Sequence, residues 1–266
     1  METGDLSEYT QANRRAMNAA APLHRECRHE LLMTRFKEKG YSYLTKVQTE
    51  ILGRIGVSGK AVAQLACNNG REILSIKNLG AGRCVGFDIS EAFIAEGKEL
   101  AAAGGIDCDL VVADVYAIPD AYLGQFDIVF ISVGALILLP DVRRLLGVVA
   151  GLLVPGGTLF IYERHPILDL FHWGDTGDPP TISGSYFQSE PTVSTTGYNY
   201  WNKQPYDSPP IYRFHHTLSD IFDACLRNGF SITDFKEYGH DISAVFKHFE
   251  KNRHRLPLCY SLVARR

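Results

Sequence analysis

The sequence predicts an α/β protein built on a doubly wound, mostly parallel sheet with an antiparallel C-terminal strand, and two observations carry that expectation. From residue 60 to about 165, short apolar runs alternate with segments of helical periodicity, the pattern of a parallel sheet with helices on both faces. Within that stretch, Lys60-Ala-Val-Ala-Gln-Leu-Ala-Cys-Asn-Asn-Gly-Arg-Glu-Ile and then Arg83-Cys-Val-Gly-Phe-Asp88 read as strand, small-residue turn, helix, strand and terminal acid.

The elements follow in order. Residues 7–55 are alanine-rich and then place Val47, Ile51, Leu52 and Ile55 at helical spacing, which predicts a helical cap over 1–56. Strands are expected at 61–66, 83–88, 108–112, 126–132 and 157–163, with helices at 71–79, 90–103 and 140–151. At the first turn Gly70 lets the backbone approach a ligand and Asn68 and Asn69 tolerate positive φ. The helix that follows directs its free N–H groups across that turn. Asp88, ending the second strand, can accept from both hydroxyls of a ribose. Read alone, Asp88 is also a good cap for a helix starting near Ser90, and Asp114 a good start for a turn ahead of Pro119.

Residues 166–216 break the alternation. They hold seven of the twelve prolines, both tryptophans, and Phe171, Tyr186, Phe187, Tyr198, Tyr200, Tyr206, Tyr212 and Phe214. A disordered segment would be poor in aromatics, so a folded insertion or lid is expected. A helix at 217–228 capped by Thr217 or Ser219, a strand at 230–238 and a last strand at 258–264 return to the core, giving one domain from 57–165 and 217–266.

Composition narrows the partners. A net charge of −3 and a pI near 6.3 give no electrostatic reason to expect nucleic acid or an anionic membrane. No apolar run approaches the length of a membrane span and the first residues are acidic, unlike a signal peptide, so a cytoplasmic protein is expected. The six cysteines are scattered without a Cys-x-x-Cys pair, and His215 and His216 would point opposite ways on an extended segment. No metal site is expected.

The succession Gln64-Leu-Ala-Cys-Asn-Asn-Gly70, Val85-Gly-Phe-Asp88-Ile-Ser, Val112-Ala-Asp114-Val-Tyr-Ala-Ile-Pro119, Phe126-Asp-Ile-Val-Phe-Ile-Ser132 and Leu153-Val-Pro-Gly-Gly-Thr-Leu-Phe-Ile-Tyr162 resembles the class I S-adenosylmethionine-dependent methyltransferases over roughly 60–165. The resemblance implies a Rossmann-like fold, S-adenosyl-L-methionine as cofactor and an enzyme. It places Ala66, Cys67, Asn68 and Gly70 under the methionine and ribose, Asp88 with Ile89 at the ribose, Asp114 with Val115 beside the adenine, and Ile131 and Ser132 in the pocket wall. The family's Gly-x-Gly-x-Gly turn, preceded by an acid, is here Ala66-Cys-Asn-Asn-Gly70 preceded by Gln64, which cannot make a charge-assisted hydrogen bond. Similar small-molecule enzymes fold an N-terminal cap over the cofactor, which makes Tyr9, Asn13, Arg14, Asn18 and His24 candidates to face it.

A methyl sulfonium is already a strong electrophile, so the protein has mainly to align an acceptor and exclude water. The expected function is methyl transfer to an O or N of a small, aromatic or heterocyclic metabolite in specialised metabolism. His165, at the end of the fifth predicted strand, is the candidate base, with His215 and His216 as alternatives. Tyr198, Tyr200, Trp201 and His216 are the candidate substrate contacts. Two other readings stay open: a non-catalytic regulator binding the same cofactor or its demethylated product, and a nicotinamide oxidoreductase, which explains Asp88 but lacks the expected glycine turn.

Overall fold

A computed structural model describes residues 6–172, 177, 180–197, 201, 205–253 and 255–266. The chain runs α1 (Ser7–Phe36), α2 (Lys46–Arg54), β1 (Val62–Leu65), α3 (Arg71–Asn78), β2 (Cys84–Asp88), α4 (Glu91–Gly104), β3 (Asp109–Val112) and β4 (Phe126–Ile131). It continues with α5 (Val142–Leu152), β5 (Leu153–Arg164), β6 (Thr192–Ser194), β7 (Ile211–Arg213), α6 (Leu218–Arg227), β8 (Ser231–Tyr238) and β9 (Cys259–Arg265). Seven strands form one sheet in the order β3-β2-β1-β4-β5-β9-β8. Pairing is parallel from β3 to β5, and β9 runs antiparallel to both of its neighbours. The doubly wound sheet with one reversed C-terminal strand is the architecture expected.

Successive strand residues face opposite ways, and the two faces bury separate cores. Ala63, Leu65, Val85, Phe87, Val129, Ile131, Leu159 and Ile161 pack under α5 and α6. Val62, Cys84, Ile128, Phe130, Phe160 and Tyr162 pack on the other face against α2 and α3, where Ile51, Leu52, Ile73 and Ile76 meet them. Strands buried on both faces read as continuous apolar runs, which is why periodicity located them without saying which side each residue takes.

The helical N-terminal region divides in two. α1 buries Asn13, Met17, Ala20, Ala21, His24, Leu32 and Phe36 along one side, which lies on α4. α2 starts at a reciprocal capping box between Thr45 and Gln48. Thr217, not Ser219, caps α6, in a box with Asp220. Ser90 caps α4 through its own hydroxyl, so Asp88 is not that cap.

In the 166–216 segment, β6 and β7 form a separate antiparallel pair. Tyr212 on β7 is clamped to α1, because Asn13 donates to the carbonyls of Tyr212 and Leu138 at 2.9 and 3.0 Å and accepts from Tyr212 N at 2.7 Å. Tyr9 packs edge-on against Tyr212 and Phe214. The other polar candidates on α1 also bind protein: Asn18 meets Ser90 and Glu91, Arg14 meets Glu91, and the His24 ring lies on Phe93.

Candidate active site

The turn after β1 is built from three left-handed residues. Ala66, Asn68 and Gly70 have φ of 51, 54 and 70°. They occupy the three positions where the motif has glycine; Asn69, which could also tolerate positive φ, does not adopt it. Holding Ala in this region costs roughly 1–2 kcal/mol. Asn68 is the easier case, and its Oδ1 accepts from Asn69 N at 2.9 Å. Gly70 is needed for packing as well as φ: an added Cβ would lie 2.9 Å from Leu110 Cδ2, so its open space faces the core and not a ligand.

Asp88 fixes this turn. Its Oδ2 accepts from Asn68 N at 2.7 Å and its Oδ1 from Ser90 N at 2.9 Å. A carboxylate oxygen accepts about two hydrogen bonds, so roughly one site on each oxygen remains. Burial pushes the carboxyl up from its ordinary value, opposed by the backbone bonds from Ser90 and Asn68. Asp114 opens a turn, accepting from Tyr116 N at 2.9 Å, and still takes part in the wall described next.

One cavity of about 650 Å³ runs from this turn across the C-terminal ends of the parallel strands. Ala66, Cys67, Asn68, Asp88, Ile89, Asp114, Val115 and Ser132, candidate cofactor contacts from the sequence, line it together. Cys67 is a wall thiol whose ionisation is pushed well up by burial and by the nearby Asp88 charge. Ile131 is not in the wall; it is fully buried in the core under α5, and the next residue, Ser132, turns toward the cavity.

Beneath the turn lies a buried polar network. Glu72 Oε1 accepts from Gln48 Nε2 at 2.8 Å, and Glu72 Oε2 accepts from Gln64 Nε2 at 2.9 Å and from the Ser132 hydroxyl. Gln64 Nε2 also reaches Ser132 Oγ at 2.9 Å. Glu72 lines the cavity, so the carboxylate missing at Gln64 is supplied eight residues later, from the first turn of α3.

The far end of the cavity departs from expectation. His165 is absent from its wall: Nε2 bonds Glu237 at 2.8 Å, Nδ1 accepts from Ile167 N at 3.0 Å, and the ring lies near Tyr260 in the opposite core. Burial lowers its pKa. His216 bonds Leu139 O at 2.7 Å and also lies outside the cavity. His215 pairs with Asp169 at 3.1 Å. Tyr198 and Tyr200 fall outside the described residues, while Trp201 does line the cavity, with the Arg28 guanidinium 4.0 Å from its ring centroid. Of the α1 candidates only Asn13 faces the cavity, beside Thr10 and Met17.

Alternation along β5 decides which side chains reach the site. Tyr162 and Arg164 share the cavity face. Glu163 points elsewhere, accepting from Gly134, Ala135 and Leu136 N at 2.7, 3.0 and 3.3 Å. Arg164 is buried against Asp169; burial works against the Asp169 carboxylate, but the Arg164 charge and the bonds from His215 and Arg164 hold it below its ordinary value. More of the wall comes from Tyr43, Thr45 and Gln48 around the start of α2, from residues 133–135 and 137–139 after β4, and from residues 240–247 between β8 and β9. His240 Nε2 sits 2.7 Å from the Tyr162 hydroxyl and 3.6 Å from Cys259 Sγ. Among the described residues no group of three or more His, Cys, Asp or Glu is placed to hold a metal. No helix among them is long and apolar enough to cross a membrane.

Residues 62–157 match a family model described as a methyltransferase domain. The chain is 31% identical over 115 residues to the ribosomal protein L11 methyltransferase of Vibrio cholerae serotype O1 (strain M66-2), an alignment covering 43% of this chain and 37% of that relative. Among solved structures, an S-adenosylmethionine dependent methyltransferase from Mesorhizobium loti superposes with a TM-score of 0.57 at 21% identity, over 82% of this chain and 96% of that one. The geranyl diphosphate C-methyltransferase from Streptomyces coelicolor A3(2), solved with S-adenosyl-L-homocysteine, gives 0.58 at 13% identity over 83% and 78%. At these identities the two structures establish a shared fold.

Proposed function

We propose, on the premise that residues 62–157 form a methyltransferase domain of the class I S-adenosylmethionine-dependent family, that the chain methylates an O or N of a small, aromatic or heterocyclic acceptor. The observation that carries this is one cavity whose wall brings together Ala66, Cys67 and Asn68 of the turn, Asp88, and the aromatic and cationic side chains of Tyr43, Arg71, Tyr162 and Trp201. Its volume suits a cofactor and a small acceptor together, within the ordinary range of small-molecule sites.

The residues present fit the cofactor. Asp88 keeps acceptor sites for ribose hydroxyls, Ile89 and Val115 offer apolar walls next to Asp114, and Glu72 supplies a buried carboxylate near the turn. S-adenosyl-L-methionine supplies the electrophilic methyl group when bound. The protein's part is alignment and exclusion of water, and α1, the start of α2, Trp201 and residues 240–247 surround the cavity to that end.

We place this role in the cytoplasm and in specialised metabolism; the six cysteines are free, as a reducing compartment keeps them. A surrounded cavity favours a metabolite over a macromolecular acceptor, although the Vibrio relative is named for a ribosomal protein. Calorimetry with S-adenosylmethionine and S-adenosylhomocysteine, followed by transfer of labelled methyl to a panel of phenols, N-heterocycles and purified ribosomal protein, tests the reading. We expect micromolar cofactor binding and label on a small molecule. No cofactor binding refutes the cofactor assignment, label confined to protein refutes the acceptor class, and binding without any transfer favours a regulator.

A further inference from the structure

We propose that His240 is the general base of this site, held in place by Tyr162, and that the acceptor group is a phenolic hydroxyl. The inference rests on the methyl-transfer reading and deepens it. His240 lies two residues beyond the end of β8, is half-buried and stands in the cavity wall. Its Nε2 is fixed 2.7 Å from the hydroxyl of Tyr162, which projects from β5 on the same cavity face as Arg164. Thr45, at the start of α2, is another residue of this wall. The Tyr238 ring packs 5.3 Å from the imidazole, so the ring plane is restrained from two sides. Nδ1 has no hydrogen-bond partner among the described residues. This is the arrangement a base needs: one ring nitrogen anchored, the other left with its lone pair.

The groups around it do not compete. Cys259, 3.6 Å from Nε2, is kept as a neutral thiol because burial pushes it up to about 12. Burial also pushes the Tyr162 phenol up, so it anchors the ring as a neutral hydroxyl. Asp241 spends its carboxylate within its own turn, on Ser243 N, Ser243 Oγ and Phe246 N, and Glu250 is bonded to Asp241 N. Lys236 lies over the Tyr238 ring and Arg164 is paired with Asp169.

A base matters for a hydroxyl more than for a neutral amine, and the aromatic side chains of Tyr43, Tyr162 and Trp201 suit a ring that carries one. In the tautomer that donates Nε2–H to Tyr162, the acceptor O–H bond breaks and its proton passes to Nδ1. The oxygen pair forms the new bond to the methyl carbon, the carbon–sulfur bond breaks with its pair left on sulfur, and the imidazolium later releases its proton to water.

The test titrates 4-nitrophenol and 4-nitrocatechol into protein saturated with S-adenosylhomocysteine and follows phenolate absorbance against pH. In the wild type, ionisation of the bound phenol should shift to lower pH by about one unit or more; in His240→Gln and His240→Asn the shift should vanish, and in Tyr162→Phe it should shrink. Labelled-methyl transfer to 4-nitrocatechol should fall at least 100-fold in the His240 variants, the usual scale for a lost base, with S-adenosylhomocysteine affinity unchanged. Equal ionisation in wild type and both His240 variants, or no phenol binding by protein that binds S-adenosylhomocysteine, overturns the proposal. Failure of the wild type to bind S-adenosylhomocysteine instead overturns the methyltransferase reading beneath it.

Discussion

Replacing Asp88 by Asn isolates the ribose contact, because the change is nearly isosteric and removes one charge. In the folded protein each carboxylate oxygen holds one backbone N–H, from Ser90 at 2.9 Å and Asn68 at 2.7 Å. An amide can accept only one of them, and turns its NH₂ toward the other. The unsatisfied N–H costs about 1–3 kcal/mol, and at about 2–4 °C per kcal/mol the melting temperature should fall by several degrees. Binding loses more. A hydrogen bond to a charged acceptor is worth about 1.5–3 kcal/mol and a neutral one about 0.5–1.5, so two ribose hydroxyls together forfeit about 2 kcal/mol, or roughly 30-fold in affinity. Calorimetry with S-adenosylhomocysteine reads this. Adenosine against 2′,3′-dideoxyadenosine then separates the ribose from a general loosening, since the wild type should prefer adenosine and Asp88→Asn should lose that preference. A folded variant with affinity within threefold of wild type would refute the assignment.

Three further outcomes follow from the packing. Asn13→Ala removes the clamp to Leu138 and Tyr212 and leaves three backbone groups without their partner; we expect about 2–4 kcal/mol lost in denaturant unfolding and faster proteolysis near residue 212, and a loss below 1 kcal/mol would contradict the clamp. Gly97→Ala would set a Cβ 2.7 Å from Asn69 O and 2.8 Å from Leu110 Cδ1, pressing α4 against the cofactor turn; about 1–3 kcal/mol of destabilisation with weakened S-adenosylhomocysteine binding is expected, and unchanged melting would refute it. Glu163 is raised by burial from 4.5 to about 7, against the backbone bonds from Gly134, Arg164 and Leu136. The folded protein therefore holds a proton that the unfolded chain releases, so this group's stabilisation is complete below about pH 4.5 and lost as pH rises through 7. Glu163→Gln should flatten the stability profile between those limits in urea titrations, and an unchanged slope would show that another group titrates there.

The cofactor end of the cavity was legible because its residues sit at strand ends, where an apolar run meets a turn. Asn68 and Asp88 follow from that rule, Ala66, Ile89, Asp114, Val115 and Ser132 from the methyltransferase resemblance, and all line the cavity. The failures have specific causes. Ile131 and Ser132 are neighbours, as are Arg164 and His165, and a one-residue step along a strand exchanges the two faces. With β5 buried on both sides from Thr158 to Arg164, hydrophobicity could not say that Tyr162 and Arg164, and not His165, look into the cavity. Gly70 was read as making room for a ligand, while its space is taken by Leu110, a contact between residues forty apart. His240 carried no periodic signal, since residues 239–258 form mostly irregular structure between two strands, and only the antiparallel docking of β9 places it beside Tyr162. The Glu72 network escaped notice because the acid was sought before the turn and stands after it.

The position of β9 has a consequence for how the molecule is made. This strand, Cys259–Arg265, fills the place between β5 and β8, so β8 joins the sheet only through it. During synthesis, neither the 240–247 wall nor the Tyr162–His240 contact has its supporting strand until β9 leaves the ribosome and inserts. A nascent chain would therefore present an open, half-walled cleft, and ligand binding would add its free energy to the completed fold alone. Small molecules that fill the cavity should rescue variants with a weakened β9 far better than variants weakened at β3, on the opposite edge of the sheet.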